Sequence, residues 1–197
     1  PVLVPLNILM SGYLSVRHRR HIHWPTLLRL ILPLMAVGTL AGYLVRPVIS
    51  ASILQGLFGI LIIWFAGREL WRMANNHVPR AHPAGLTRGL MLGAGVTHGL
   101  FASGGPLLVY ALAGTTLDKA RFRATLIAVW FSLNSLLTVI FLLDGSLVAA
   151  APRLVLYIPL LVVGVLLGEW LHQRVNEQRF RQLVFVMLLV TGVALLV

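Results

Sequence analysis

The chain has no cysteine, and only five of its 197 residues are acidic. Without thiols there is neither a disulfide framework nor a thiolate metal site. Charged residues make up 11% of the chain, against about 25% in a soluble domain. Hydrophobic residues make up 58%, and the mean hydropathy is +0.90. This balance excludes an ordinary soluble domain. The apolar runs are long enough to cross a bilayer as helices, so the expected class is all-α, a polytopic membrane protein. The five acids are Glu69, Asp118, Asp144, Glu169 and Glu177, and none falls at the middle of an apolar run. Cation- and proton-carrying pumps keep a carboxylate there, so the shortage favours passage of an anion. Glu169, at a run's end, reads as interfacial.

What the chain has instead is positive charge, a net +11. In a soluble protein this would suggest nucleic acid. Here the Lys and Arg residues sit in short loops between apolar runs, where they orient the chain and meet anionic lipid. The expected surroundings are a lipid bilayer, not nucleic acid. The run Arg17-His-Arg-Arg-His-Ile-His23 has three histidines but no accompanying carboxylate or cysteine. It reads as a basic interfacial loop, so no metal or cofactor is expected.

Apolar runs are expected as spans over 2–16, 25–45, 48–67, 123–143, 152–171 and 180–197. A polar linker covers 75–83. The remaining apolar segment, 86–114, is unlike the others. Within it Gly93-Ala-Gly-Val-Thr-His-Gly-Leu-Phe-Ala-Ser-Gly-Gly-Pro-Leu-Leu-Val-Tyr110 has five glycines, a proline, two hydroxyls and His98. Gly-Gly permits backbone angles that other residues avoid, and Pro106 cannot continue a preceding helix but starts a new one well. The stretch predicts helix, break at Ser103–Gly105, then helix. Broken backbone at membrane depth belongs in a protein interior or beside a cavity.

Charge placement decides the path of this element. If 86–114 crosses once, Lys and Arg divide nine against seven between the two sides. If it enters and leaves on one side, they divide fourteen against two. The positive-inside rule favours the second arrangement, a re-entrant broken helix. A repeat supports the same plan. Pro33, Gly38 and Gly42 recur at an offset of 126 as Pro159, Gly164 and Gly168, and Asn7 recurs at 127 as Asn134. The charge assignment makes the two copies inverted, a recurring plan of secondary transporters. Residues 1–80 then hold the remainder of a first repeat, with three spans. Residues 84–197 hold a second repeat, the broken helix plus three spans. The counterpart of 93–110 would precede Pro1, so the first-repeat signature helix is missing from this chain, which reads as a fragment.

A helix beginning at Pro106 turns free N–H groups toward an anion. The expected substrate-binding residues are Thr97, His98, Ser103, Gly104, Gly105, Pro106 and Asn134, with hydroxyl and amide donors and a histidine able to carry a proton. His98 reads equally well as a packed, hydrogen-bonded residue, and Asn7 and Asn134 as glue between helices. Arg121 and Arg123 mark a pathway mouth, or simply set topology. Two rivals stay open. One is a membrane scaffold that transports nothing. The other is an intramembrane serine hydrolase using Ser103 and His98, for which a base on a second segment is wanting.

Gly95-Val-Thr-His-Gly-Leu-Phe-Ala-Ser-Gly-Gly-Pro-Leu-Leu-Val-Tyr110, followed by Lys119-Ala-Arg-Phe-Arg-Ala-Thr125, resembles the second signature of the sulfite exporter TauE/SafE family. The resemblance implies a bacterial inner-membrane permease, not an enzyme, moving sulfite, organosulfonates or other small sulfur-containing anions. It places Ser103, Gly104, Gly105 and Pro106 on the substrate path. Ala102-Ser103 replaces part of the family's glycine cluster. The anion, its direction, a coupling ion and a homo-oligomeric state stay open.

Overall fold

The computed structural model describes residues 3–75, 82–112, 117–150 and 177–196, with scattered positions between 152 and 167. Every element defined among them is helical. The expected span over 152–171 lies mostly outside the described residues, as do Glu169, Gly168 and the linker's positions 76–81.

Helix α1 is Leu3–Arg17. A 3-10 turn, Arg19–His21, leads to α2, Trp24–Val48. The His23 ring caps α2 by accepting from the Thr26 N–H at 3.4 Å, and Pro25 occupies its first turn. Residues Leu27–Ile31 widen into a π turn just ahead of Pro33. Proline donates no hydrogen bond and crowds the carbonyl four residues back. A wider turn there lets the helix continue through it.

Helix α3 is Ala51–Ala74, capped by the Ser50 hydroxyl, which accepts from the Ile53 N–H. The expected stop near Gly67 does not occur. Arg68 and Arg72 reach Glu69 at 2.6 and 2.5 Å, and Glu69 is buried. The charges neutralise one another on the helix surface instead of ending it. Helix α4 is Ala84–Phe101 and α5 is Gly105–Ala111. Helix α6, Lys119–Leu143, begins four residues before the expected Arg123, because Asp118 accepts from the Arg121 N–H at 2.8 Å and caps it there. Helix α7 is Glu177–Ala194. Among the described residues three helices are long and apolar enough to cross a membrane: Trp24–Val48, Ala51–Ala74 and Ala120–Leu143. Their outward side chains, including Val37, Leu44, Ile60 and Val139, are more than half exposed. Such a surface suits lipid.

Helix α4 lies parallel to α2 at backbone contact. A Cβ on Gly38 would stand 2.3 Å from the Leu92 carbonyl oxygen, and one on Gly95 2.4 Å from that of Met35. One turn on, a Cβ on Gly42 would meet the Val96 oxygen at 2.3 Å, and one on Gly99 the Thr39 oxygen at 2.1 Å. Small residues four apart give this close approach in lipid. Met35, Met91, Ala94, Leu108, Val129 and Leu133 are buried around it as the core.

Helix α5 folds back along α4. A Cβ on Gly93 would meet Leu107 at 3.2 Å, while one on Gly104 would press on the Ala94 oxygen at 2.2 Å. At the returning end, His82 Nε2 lies 3.1 Å from the Tyr110 oxygen. The Tyr110 ring is edged by Trp64 at 5.7 Å and covered by the Arg68 guanidinium at 4.1 Å. Residues 82 and 110 therefore share one end of the bundle. The same end holds the starts of α2 and α6, since the His23 N–H donates to Thr125 Oγ1 at 3.0 Å. At the other end the Tyr43 hydroxyl donates to Asp144.

Two antiparallel pairs complete the bundle. Along α1 and α6, Val4 packs with Leu137 and Phe141, and Gly12 faces Phe131. Along α3 and α7, Gln55 Nε2 donates to the Leu195 oxygen at 3.2 Å, Gly59 approaches Gly192, and Phe65 meets Phe185 at 5.8 Å.

If α2 and α4 depend on backbone contact, Gly99→Ala lowers the thermal midpoint of the detergent-solubilised protein, at a cost of about 1–3 kcal/mol for the overpacking. Nothing lies within 4 Å of a Cβ on Gly89. Gly89→Ala therefore leaves the midpoint unchanged or raises it, by up to about 1 kcal/mol from helix propensity. Equal midpoints for the two variants would count against the close packing.

Candidate functional site

The turn between α4 and α5 differs from the glycine-built break expected of Ser103–Gly105. The residue with positive φ is Ala102, at φ 55° and ψ 30°, whose N–H closes α4 on the His98 oxygen at 2.7 Å. Gly104 has φ −105°, which any residue adopts. Glycine is required at 104 for space, because α5 presses it onto Ala94 and His98. An alanine in the left-handed region costs about 1–2 kcal/mol. Backbone strain of this kind gathers at functional sites.

His98 is 1% exposed, and among the described residues neither ring nitrogen has a hydrogen-bond partner. Its ring lies 5.6 Å from that of Trp130 on α6. Trp130 also faces Gly105, where a Cβ would stand 3.4 Å from the indole. His98, Gly104, Gly105 and Trp130 thus converge at the break, and Pro106 occupies the first turn of α5. Ser103 is half-buried beside them. Because both imidazole nitrogens are unpartnered, no hydrogen bond joins His98 to Ser103.

The other expected residues are engaged elsewhere. Thr97 Oγ1 donates to the Ala94 oxygen of its own helix at 2.9 Å. Asn134, one turn beyond Trp130, donates from Nδ2 to Asn7 Oδ1 at 3.0 Å. It therefore ties α6 to α1. Arg121 and Arg123 are exposed in the first turns of α6, at the opposite end of the hairpin from its break, and Arg121 Nε lies 3.3 Å from Asp118. The basic loop is also occupied locally. His18 Nδ1 meets the Leu14 oxygen at 3.0 Å, and His23 Nδ1 meets Thr26 Oγ1 at 2.8 Å. Among the described residues no three metal-ligating side chains converge.

A cavity of about 710 Å³ opens beside the break. Gly99 and Ala102 contribute its backbone wall, Phe58 and Phe141 its aromatic faces, and Arg46 and Gln55 its polar groups. Its volume falls in the range of small-molecule sites, about 300–1,000 Å³. Phe101 stacks on Phe58 at 4.8 Å and fixes the end of α4 against α3. Neither Arg46 nor Trp130 stands out in the linear sequence as a site residue. Arg46 reads as part of a turn with Pro47. Trp130 is one aromatic within an apolar run.

A profile of the sulfite exporter TauE/SafE family matches residues 1–195. Among curated proteins, the chain is 28% identical over 197 residues to the probable inner membrane transporter protein TsaS of Comamonas testosteroni. That match covers 98% of this chain and 78% of the relative. No solved structure matches the chain. With three membrane-length apolar helices among its described residues and a family match along nearly its whole length, this chain is a membrane transporter and belongs to the sulfite exporter TauE/SafE family.

Proposed function

We propose that the chain is a permease for small anions, of which sulfite, organosulfonates and related sulfur-containing anions are the first candidates. The path runs from the Arg46 cavity to the α4–α5 break. The observation that carries this reading is that the last turn of α4 and the left-handed Ala102 that ends it, Gly99 to Ala102, form a wall of the cavity. Irregular backbone inside a membrane protein is placed where it lines a space that solute or water occupies. A guanidinium in an otherwise largely apolar wall attracts an anion, and Gln55 offers an amide beside it. Gly105 and Ser103 continue the path, and Arg121 and Arg123 serve its far mouth. The setting proposed is the bacterial inner membrane, in keeping with the family and with the relative's name.

The hairpin is re-entrant in this reading. Its two ends meet at His82 and Tyr110, and the next helix starts beside His23. Inverted repeats, residues 1–80 and 84–197, account for the two antiparallel pairs. At the offset of 127, α1 corresponds to α6, and the equivalent residues Asn7 and Asn134 bond to each other. At the offset of 126, Ala51 corresponds to Glu177, so α3 corresponds to α7, and these also pack together. Equivalent segments that touch lie on a two-fold axis. A counterpart of the hairpin would reach the break from the opposite face.

The permease reading is preferred to a hydrolase because His98 makes no bond to Ser103. It is preferred to a scaffold because a cavity at a strained break has no use in packing alone.

The absence of native cysteine makes topology directly testable. Single cysteines at His21, Leu117 and Ser146 are expected to label with an impermeant maleimide so that the first two share a face and the third does not. Labelling of His21→Cys from the same face as Ser146→Cys, with Leu117→Cys on the other, would sink the re-entrant path. For transport, the expected result is flux of at least one of sulfite, thiosulfate, sulfoacetate or sulfate in proteoliposomes. Gly105→Leu should reduce that flux by about tenfold or more, equal to about 1.4 kcal/mol of barrier. Arg46→Gln should weaken uptake from the cavity side at low concentration. Gly104 is unsuitable for this test, since its substitution disrupts the hairpin. Unaltered flux in Gly105→Leu would remove the break from the path.

A further inference from the structure

The least explained group in the molecule is the His98 side chain. It is 1% exposed, and both nitrogens lack a partner among the described residues. On the neighbouring α2, Thr39 is fully buried, and its hydroxyl is also unpartnered. The Thr39 carbonyl packs on Gly99, the residue next to His98. Native interiors satisfy the great majority of buried polar atoms, and exceptions mark a role or an occupant that comes and goes. A histidine serving only for packing would cost less as a phenylalanine or leucine, so an imidazole at this depth wants a use.

The surroundings limit that use. From α2 come Thr39 and, one turn on, Tyr43, whose hydroxyl is committed to Asp144. From α6 comes Trp130, and beyond it Asn134, committed to Asn7. From α5 comes Gly104, against the His98 Cβ. From α3 comes Phe58, against Phe101. The charged groups described on these elements and on α4 itself, Arg29, Arg46, Arg68, Glu69, Arg72, Arg88, Arg121 and Arg123, with Asp144 at the end of α6, lie toward the helix ends, and none bonds a His98 nitrogen. No carboxylate stands near the middle of any span in the sequence. Among the described residues a charge in this interior has no resident counter-ion, and an uncompensated charge there is expensive.

We propose that His98 is the proton-carrying site of the transporter, and that one proton moves with each anion charge it balances. This rests on the anion-permease reading above. With the site empty, the imidazole is neutral. When an anion reaches the break, one ring nitrogen takes a proton from water on the same side and the imidazolium pairs with the anion. Release on the far side returns that proton to water and the imidazole to its neutral form, so no proton is gained or lost over the cycle. Attraction between opposite charges is large in a low-dielectric interior. Each ion therefore favours binding of the other, and the coupling is reciprocal. Histidine suits this work because its charge changes near physiological pH.

The test uses thiosulfate and sulfoacetate, both fully ionised near neutral pH, so that any proton that moves is not carried by the anion. Proteoliposomes containing the wild-type chain and an enclosed pH indicator are exposed to each anion. Acidification accompanying anion uptake is expected, as is faster uptake when the outside pH is lowered from about 8 to about 6, the range in which histidine takes up charge. His98→Gln should abolish both the acidification and the pH stimulation, while its thermal midpoint and maleimide topology match the wild type. Thr39→Val, next to the site without a titratable group, should keep the proton movement. Anion uptake by the wild type without acidification overturns the proposal whether or not any variant folds. So does proton movement retained in His98→Gln. Absence of flux for every anion overturns the permease reading itself, and this inference with it.

Discussion

The structure depends on one contact, the meeting of Gly38 and Gly42 on α2 with Gly95 and Gly99 on α4. In lipid there is no hydrophobic force to drive two apolar helices together, so association rests on van der Waals contact over closely approaching backbones. Four glycines on two facing turns permit that approach. Any Cβ at these positions would stand within about van der Waals exclusion of a facing carbonyl. The contact sets the height of α4 against α2, and so the depth at which α4 ends. The location of the break, of His98 and of the cavity wall all follow from it.

The return of the chain is held differently. Helix α5 is too short to cross a membrane, with seven residues. It is held at its start by Gly104 against α4 and at its end by the Tyr110 cluster. Arg68 has two contacts there, pairing with Glu69 and covering the Tyr110 ring. A surface ion pair alone stabilises little. Here the pair lies partly buried and orients a cation over an aromatic face, which adds about 0.5–2 kcal/mol as the site becomes desolvated. The hairpin is thus fastened at both ends, and its strained turn at Ala102 is left between them. A bond or packing contact on either side holds an unfavourable turn that the local sequence would not hold by itself.

The polar groups inside the bundle divide by whether they are satisfied. Asn134 and Asn7 complete each other, and Ser11 donates to the Asn7 oxygen at 2.6 Å. Thr97 and Ser132 bond back to their own helices. These groups join or cap backbone and have little left over. His98 and Thr39 have no such partner among the described residues. The distinction separates polar side chains that already bond within the protein, Asn134 and Thr97 among them, from those whose hydrogen-bonding atoms are unused among the described residues.

Much of this architecture is legible in the linear chain. Long apolar runs specify membrane helices because a bilayer leaves the backbone no alternative. Proline after Gly-Gly specifies an interruption because it donates no bond. The distribution of sixteen Lys and Arg residues between loops is the ground for proposing a re-entrant path for the broken element, since charge is costly to carry across. Boundaries are less legible: the Glu69 pairs and the Asp118 cap extend two helices past their expected ends through side-chain contacts made only in the folded form. The role of the glycines is legible in kind but not in cause. The sequence suggests conformational freedom at Gly104 and Gly105, whereas proximity to Ala94 is what excludes a side chain at 104, and Ala102 adopts the left-handed turn. Trp130 beneath the break, Arg46 in the cavity wall and the lack of a hydrogen-bond partner for His98 among the described residues are matters of distance between segments far apart in the chain. Local composition and spacing suffice to specify a polytopic helical membrane protein with one interrupted helix, because each of those properties is written within a single stretch of residues. Which polar groups face each other, and which are left without partners, is settled only when the helices pack, because hydrogen bonding depends on angstrom-scale contact between segments that no local pattern encodes.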